Sequence, residues 1–62
     1  MMHYLLMIDG KLELVYEKKK YANIMADAYK LQGKNVTIKR KMLTATEVEY
    51  FKQQGKYAQL NS

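Results

Sequence analysis

The sequence predicts a small α+β domain with the element order ββαβα and a three-stranded, mainly antiparallel sheet of strand order 2-1-3. Apolar residues recur with a period of two in the first 17 residues and again over 35–42, and with a period of about 3.6 residues between these two runs. Asp9-Gly10 stands between the first two alternating runs, where it favours a tight type I′ turn. The expected elements of this single domain, 1–62, are a hairpin over 3–17, a long helix over 19–32 packed on one sheet face, a strand over 35–42, a short C-terminal helix over 45–54 and a tail over 56–62.

The hairpin assigns its apolar residues to two faces. A two-residue loop pairs Ile8 with Lys11, Met7 with Leu12, Leu6 with Glu13, Leu5 with Leu14 and Tyr4 with Val15. One face then carries Leu5, Met7, Leu12, Leu14 and Tyr16, and the other carries Tyr4, Leu6, Ile8 and Val15. A longer loop would exchange these faces. The first strand is apolar on both faces, which is typical of a central strand, whereas the second alternates like an edge strand.

The long helix is predicted from an apolar stripe with helical spacing. The stripe consists of Tyr21, Ile24, Met25, Ala28 and Leu31. Ala22 and Ala26 flank it and allow close approach to a sheet. Gly33 suits the left-handed residue after the helix, and Lys30 in the last turn suits the helix dipole.

The second half of the chain predicts one more strand and a short helix. Val36 and Ile38 alternate with Thr37, Lys39 and Lys41, as expected of a strand. Thr44 with Glu47, and Thr46 with Glu49, both have the spacing of a capping box at a helix start. The expected apolar contacts of this helix and of the tail are Val48, Phe51, Tyr57 and Leu60.

The composition excludes several classes of protein. A chain of 62 residues buries only about 60% of its unfolded surface, and without cysteine it has no disulfide. The longest apolar run, Tyr4 to Ile8, is too short for a membrane span, and no secretory signal is present. We therefore expect a cytoplasmic protein without a membrane, metal or cofactor partner.

Catalytic groups are scarce. The sequence has no cysteine, its only serine is Ser62, and its only imidazole is His3. A nucleophile, a base and an orienting group must converge in a pocket that excludes water, for which a domain of this size has little room. We expect a protein that is not an enzyme, with His3 as a packing residue rather than a metal ligand or a pH switch.

The sheet face opposite the long helix is the first candidate for binding. It carries the apolar strip Tyr4, Leu6, Ile8 and Val15. The short helix and tail can cover this strip, or a partner protein or a second copy can do so. The strip is the predicted protein-interaction or dimer face.

Two basic clusters give an alternative. They are Lys18, Lys19 and Lys20 before the long helix, and Lys39, Arg40 and Lys41 on the third strand. With a net charge of +5, they predict a nucleic-acid or anion patch if the fold brings them to one end of the sheet. The competing interpretation is that these side chains are solvated and protect sheet edges, or that an AT-rich genome favours lysine.

In size and in its ββαβ core, the chain resembles the small accessory proteins of bacteriophages and mobile elements, although no sequence motif defines this resemblance. Such proteins act mostly by binding. The resemblance implies a non-enzymatic module that binds a host protein or self-associates; the alternative is a basic nucleic-acid-binding protein.

Overall fold

The computed structural model describes residues 1–58 and contains the predicted elements. These are β1 (Met2–Ile8), β2 (Lys11–Tyr16), α1 (Lys19–Leu31), β3 (Val36–Met42) and α2 (Ala45–Gln53). The sheet order is β2-β1-β3, and β1 is antiparallel to both neighbours. The predicted fold class and strand order are confirmed, and the predicted element ends lie close to the observed ones. The expectation for Leu60 and the rest of the tail beyond residue 58 lies outside the described residues.

A β-bulge in β2 alters the expected pairing of the hairpin. The turn has the positive φ angles of a type I′ turn, 52° at Asp9 and 79° at Gly10. The register next to it is as expected as far as the pair of Met7 with Leu12. Glu13 is the extra residue of the bulge, and no residue of β1 pairs with it. The pairs that follow are each one position from the predicted ones: Leu6 with Leu14, Leu5 with Val15 and Tyr4 with Tyr16.

The bulge changes which side chains share a face, because directly paired residues lie on the same face of a sheet. The residues in or against the core under α1 include Tyr4, Leu6, Leu14, Tyr16, Val36 and Ile38. Alternation along the strands places on the opposite face His3, Leu5, Met7, Leu12 and Val15. The predicted face assignment is therefore wrong, because the helix covers the face on which Tyr4 and Leu6 lie.

Helix α1 packs on the sheet through small residues. Ala22 and Ala26 are its buried residues, and they lie against Leu6 and Tyr16 in the core. Because alanine is short, the helix approaches the sheet closely and the large side chains of the strands fill the interface. Gly33, with a φ of 82°, ends the helix as predicted. The predicted core stripe is wrong for Tyr21, Ile24, Ala28 and Leu31, which are exposed, and correct for Met25, which packs against the core.

Helix α2 begins at the predicted capping box. The Thr44 hydroxyl accepts a hydrogen bond from the Glu47 amide at 3.2 Å, and the Glu47 carboxylate accepts one from the Thr44 amide at 3.1 Å. The hydrogen bond from the Thr44 backbone is the main reason that the pKa of Glu47 lies below its usual value, and the charge of Lys41 acts in the same direction. The reciprocal bonds fix the direction in which the chain leaves β3.

The segment after α2 covers the outer edge of β2. The Val15 amide donates to the Lys56 carbonyl at 2.7 Å, and the Ala58 amide donates to the Val15 carbonyl at 2.9 Å. This short parallel pairing leaves Val15 with none of its surface exposed. The C-terminal part of the chain thus closes one edge of the sheet.

Candidate functional surfaces

A partly buried hydrogen-bond chain joins the start of β1 to the segment after α2. His3 is 2% exposed. Its Nε2 atom lies 3.1 Å from the Tyr57 hydroxyl, and its Nδ1 atom lies 2.9 Å from the Met1 carbonyl. The Tyr57 hydroxyl donates to Glu17 at 2.6 Å. The chain links three parts of the sequence that share no secondary-structure element.

The acceptor groups of this hydrogen-bond chain determine which of its atoms donate. The Met1 carbonyl can only accept, so Nδ1 of His3 donates to it. The Tyr57 hydroxyl gives its hydrogen to Glu17 at 2.6 Å and lies 3.1 Å from Nε2 of His3. Burial, followed by the hydrogen bond to Glu17 and its charge, raises the pKa of Tyr57.

A shallow cleft of about 400 Å³ opens beside this chain. Apolar side chains, among them Leu43 and Val48, form part of its wall together with His3, Glu17 and Tyr57. The polar atoms of His3 and Tyr57 already bond to each other and to their neighbours, so they stabilise the junction between β1 and the segment after α2. Within residues 1–58, no three His, Cys, Asp or Glu side chains are grouped to hold a metal ion.

The four residues of the predicted interaction strip do not form one surface. Leu6 and Val15 are both completely buried, on opposite faces of the sheet. Tyr4 is half-buried and packs against the core under α1, and Ile8 is half-buried beside the turn. The chain itself therefore covers most of this apolar surface.

The two basic clusters lie at the same end of the sheet. Tyr4 pairs with Tyr16 on one side and with Arg40 on the other, so the end of β2 and the basic part of β3 are separated by β1 alone. Two strand spacings correspond to about 10 Å. All six predicted patch residues are exposed: Lys18, Lys19, Lys20, Lys39, Arg40 and Lys41. Helix α1 begins there without a side-chain cap and without an acidic residue in its first turn.

The exposed side of α1 carries apolar residues that the hydrophobic pattern placed in the core. Tyr21 is 38% exposed, Ile24 55% and Leu31 91%. With Ala28 they are spaced as one line along the helix, here called the outer stripe. The pattern contained this stripe but assigned it to the core, because large apolar residues outrank alanine in any hydrophobicity comparison.

Comparison with known proteins does not assign a function to these surfaces. The chain matches no protein-family model, no curated protein and no solved structure. In the part of the chain that the structure describes, no helix is long and apolar enough to cross a membrane. The geometry of the surfaces alone carries the functional argument.

Proposed function

We propose that this protein is a non-catalytic binding module that associates with another protein, or with a second copy of itself, through the outer stripe of α1. The observation that carries the proposal is the exposure of Leu31 (91%) and Ile24 (55%) in line with Tyr21 on one helix. Leucine and isoleucine on a regular helical line are the anchor pattern of helix-mediated recognition.

The energetic reason lies in the size of the domain. Burial of apolar surface stabilises by about 25 cal/mol per Å², and a chain of 62 residues has little such surface to spare. Ala22, Ala26, Met25 and Tyr29 lie on the helix side that packs on the sheet, so Ile24 and Leu31, which are 55% and 91% exposed, contribute little to the fold. A surface that costs solubility and adds little stability is typical of a binding site.

The test compares a double variant of the outer stripe with a single variant at an exposed residue elsewhere. Ile24→Ser with Leu31→Ser removes the outer stripe, while Tyr50→Ser, at a residue 57% exposed on α2, removes apolar surface elsewhere. Circular dichroism and thermal melting should show that both variants fold. Sedimentation velocity over a concentration series then detects self-association, and cross-linking in the native cell detects a partner.

The proposal requires an association that the stripe variant loses and the Tyr50→Ser variant keeps. If the protein is monomeric at all concentrations and both variants cross-link to the same proteins, the stripe is not a binding surface and the proposal is wrong.

A second candidate function, nucleic-acid binding, is favoured by the register that brings both basic clusters to one end of the sheet. Lysine and arginine side chains that neutralise phosphates release counterions, so the logarithm of the affinity falls linearly with the logarithm of salt concentration. Ten of the eleven basic residues are lysine, which suits phosphate contacts better than base reading.

The matched test removes three charges at each of two places. Lys39, Arg40 and Lys41 are changed to glutamine in one variant, and the exposed Lys11, Lys30 and Lys34 at the opposite end of the sheet in the other. Titration of a labelled duplex and a labelled single strand at about 50 mM salt should show weaker binding and a flatter salt slope for the first variant only. Equal losses in both variants would mean attraction by net charge without a site.

A further inference from the structure

The two outer edges of the sheet differ. The edge of β2 is closed near Val15 by the segment 56–58. The edge of β3 has no neighbouring strand among residues 1–58, and its residues make no backbone hydrogen bond on that side with any described residue. An open edge strand presents a row of unpaired amides and carbonyls to any extended chain of matching chemistry.

The ladder between β1 and β3 identifies which groups point outward. The Leu43 amide donates to the Met1 carbonyl and the Asp9 amide donates to the Asn35 carbonyl, so these two pairs are hydrogen-bonded pairs. In an antiparallel ladder such pairs recur at every second residue, which makes Thr37, Lys39 and Lys41 the residues bonded to β1. The residues whose backbone groups face the open edge are Val36, Ile38, Arg40 and Met42.

The charges along this edge select what can pair with it. Lys39 and Lys41 lie on the face opposite α1, and Arg40 lies on the face of α1, so the edge is positive on both faces. Among the described residues, the one ion pair is that of Lys41 with Glu47 at 3.8 Å, and both of its side chains are largely exposed. Lys39 and Arg40 keep their charge free for a ligand.

We propose that the open edge of β3 binds an extended acidic segment of another protein, which adds as a fourth strand. Backbone hydrogen bonds to residues 36, 38, 40 and 42 hold the segment, and its carboxylates lie beside Lys39 on one face and Arg40 on the other. Opposite charges on adjacent strands are favourable, and like charges are unfavourable. A second copy of this chain is excluded as the occupant, because pairing two β3 strands would bring their six basic side chains together.

This surface shares no residue with the outer stripe of α1, so the two proposals can fail independently. It also differs from a phosphate-binding patch, because a strand needs the backbone of the protein, whereas a polyanion needs only its charges. Lysine on an edge ordinarily prevents pairing. Here it repels basic strands and disfavours neutral ones, which would desolvate the ammonium group without a counter-charge, while an acidic strand supplies that charge.

The first experiment uses a short peptide that alternates glutamate with threonine and valine. Bound peptide should slow amide hydrogen exchange at Ile38 and Arg40 by at least about tenfold, as expected for newly made hydrogen bonds. The same peptide with alternate amides methylated keeps its charge but loses the donors, and should bind about tenfold more weakly. A peptide with lysine for glutamate should not bind. Equal binding of the methylated peptide, or exchange unchanged at both residues, overturns the proposal.

The second experiment alters the edge itself without changing its charge. Met42 is 61% exposed and its amide points outward, so Met42→Pro removes one donor without breaking the ladder to β1. Met42→Thr keeps the donor and serves as the control. Affinity for the acidic peptide should fall about fivefold or more in the proline variant and change less than about twofold in the control. If the two variants bind alike, the peptide is not held as a strand.

Discussion

Replacement of Tyr57 by phenylalanine tests whether the hydrogen-bond chain from His3 to Glu17 holds the C-terminal segment in place. The hydroxyl lies 3.1 Å from Nε2 of His3 and donates to Glu17 at 2.6 Å. Its loss leaves a ring nitrogen of His3, 2% exposed, without a partner, which costs about 1–3 kcal/mol. The bond to Glu17 is exposed and adds about 0.5 kcal/mol after screening by solvent. Phenylalanine keeps the edge-to-face contact of the two rings, so we expect a total loss of about 2 kcal/mol.

Such a loss is large for this chain. At about 0.05–0.15 kcal/mol per residue, the whole domain has a stability of about 3–9 kcal/mol, and a loss of about 2 kcal/mol lowers the Tm by about 8–16 °C. Urea unfolding followed by circular dichroism measures the change. Tyr50→Phe is the control, because Tyr50 is 57% exposed and its hydroxyl has no hydrogen-bond partner in residues 1–58. If the two variants differ by less than about 0.5 kcal/mol, the chain of hydrogen bonds contributes nothing to stability.

Three further predictions use the same unfolding assay. Leu6→Ala should lower the free energy of unfolding by about 3 kcal/mol, whereas Leu31→Ala should change it by less than about 0.5 kcal/mol. Similar losses in both variants would show that Leu31 is part of the core. Since burial raises the pKa of Tyr57 above its ordinary value of 10.0, the advantage of wild type over Tyr57→Phe should shrink as the pH rises above 10; an advantage that persists unchanged there contradicts the prediction. The pKa of Glu47 is lowered, so the advantage of wild type over Glu47→Gln should be present at neutral pH and vanish as the pH falls through the folded pKa, with an advantage that survives in strong acid counting against the capping box.

The sequence contained the elements of the fold but not all of its contacts. Turn residues, capping residues and periodicity are local signals, and they fixed the strand order because β1 is apolar on both faces. The side of α1 that packs on the sheet depends on how closely two backbones approach, which favours Ala22 and Ala26 over larger residues. The pairing of residues 56–58 with Val15 depends on a partner about forty positions away, and periodicity carries no information at that distance.

The candidate surfaces follow from the same distinction. The basic clusters were predictable, because exposure of lysine needs no tertiary information. The outer stripe and the open edge of β3 were not, since each is defined by what fails to cover it. The sequence predicts Tyr57 as an apolar contact of the tail but does not predict its hydrogen bonds, because its partners His3 and Glu17 come from the other end of the chain.

The bulge at Glu13 allows a direct test of the face assignment. In the observed register Leu12 pairs with Met7 and Leu14 pairs with Leu6. Deletion of Glu13 therefore makes Leu12 and Leu14 consecutive residues, and their side chains already lie on opposite faces of the sheet. Every apolar side chain keeps its face, and we expect a stability within about 1 kcal/mol of wild type. In the pairing without a bulge, the same deletion would move Leu14 and the residues after it to the wrong face. Deletion of Leu14 is the control, because it places the Glu13 carboxylate opposite Leu6 in the core and should cost several kcal/mol. A protein that tolerates the loss of Leu14 but unfolds without Glu13 would refute the bulge and the face assignment that depends on it.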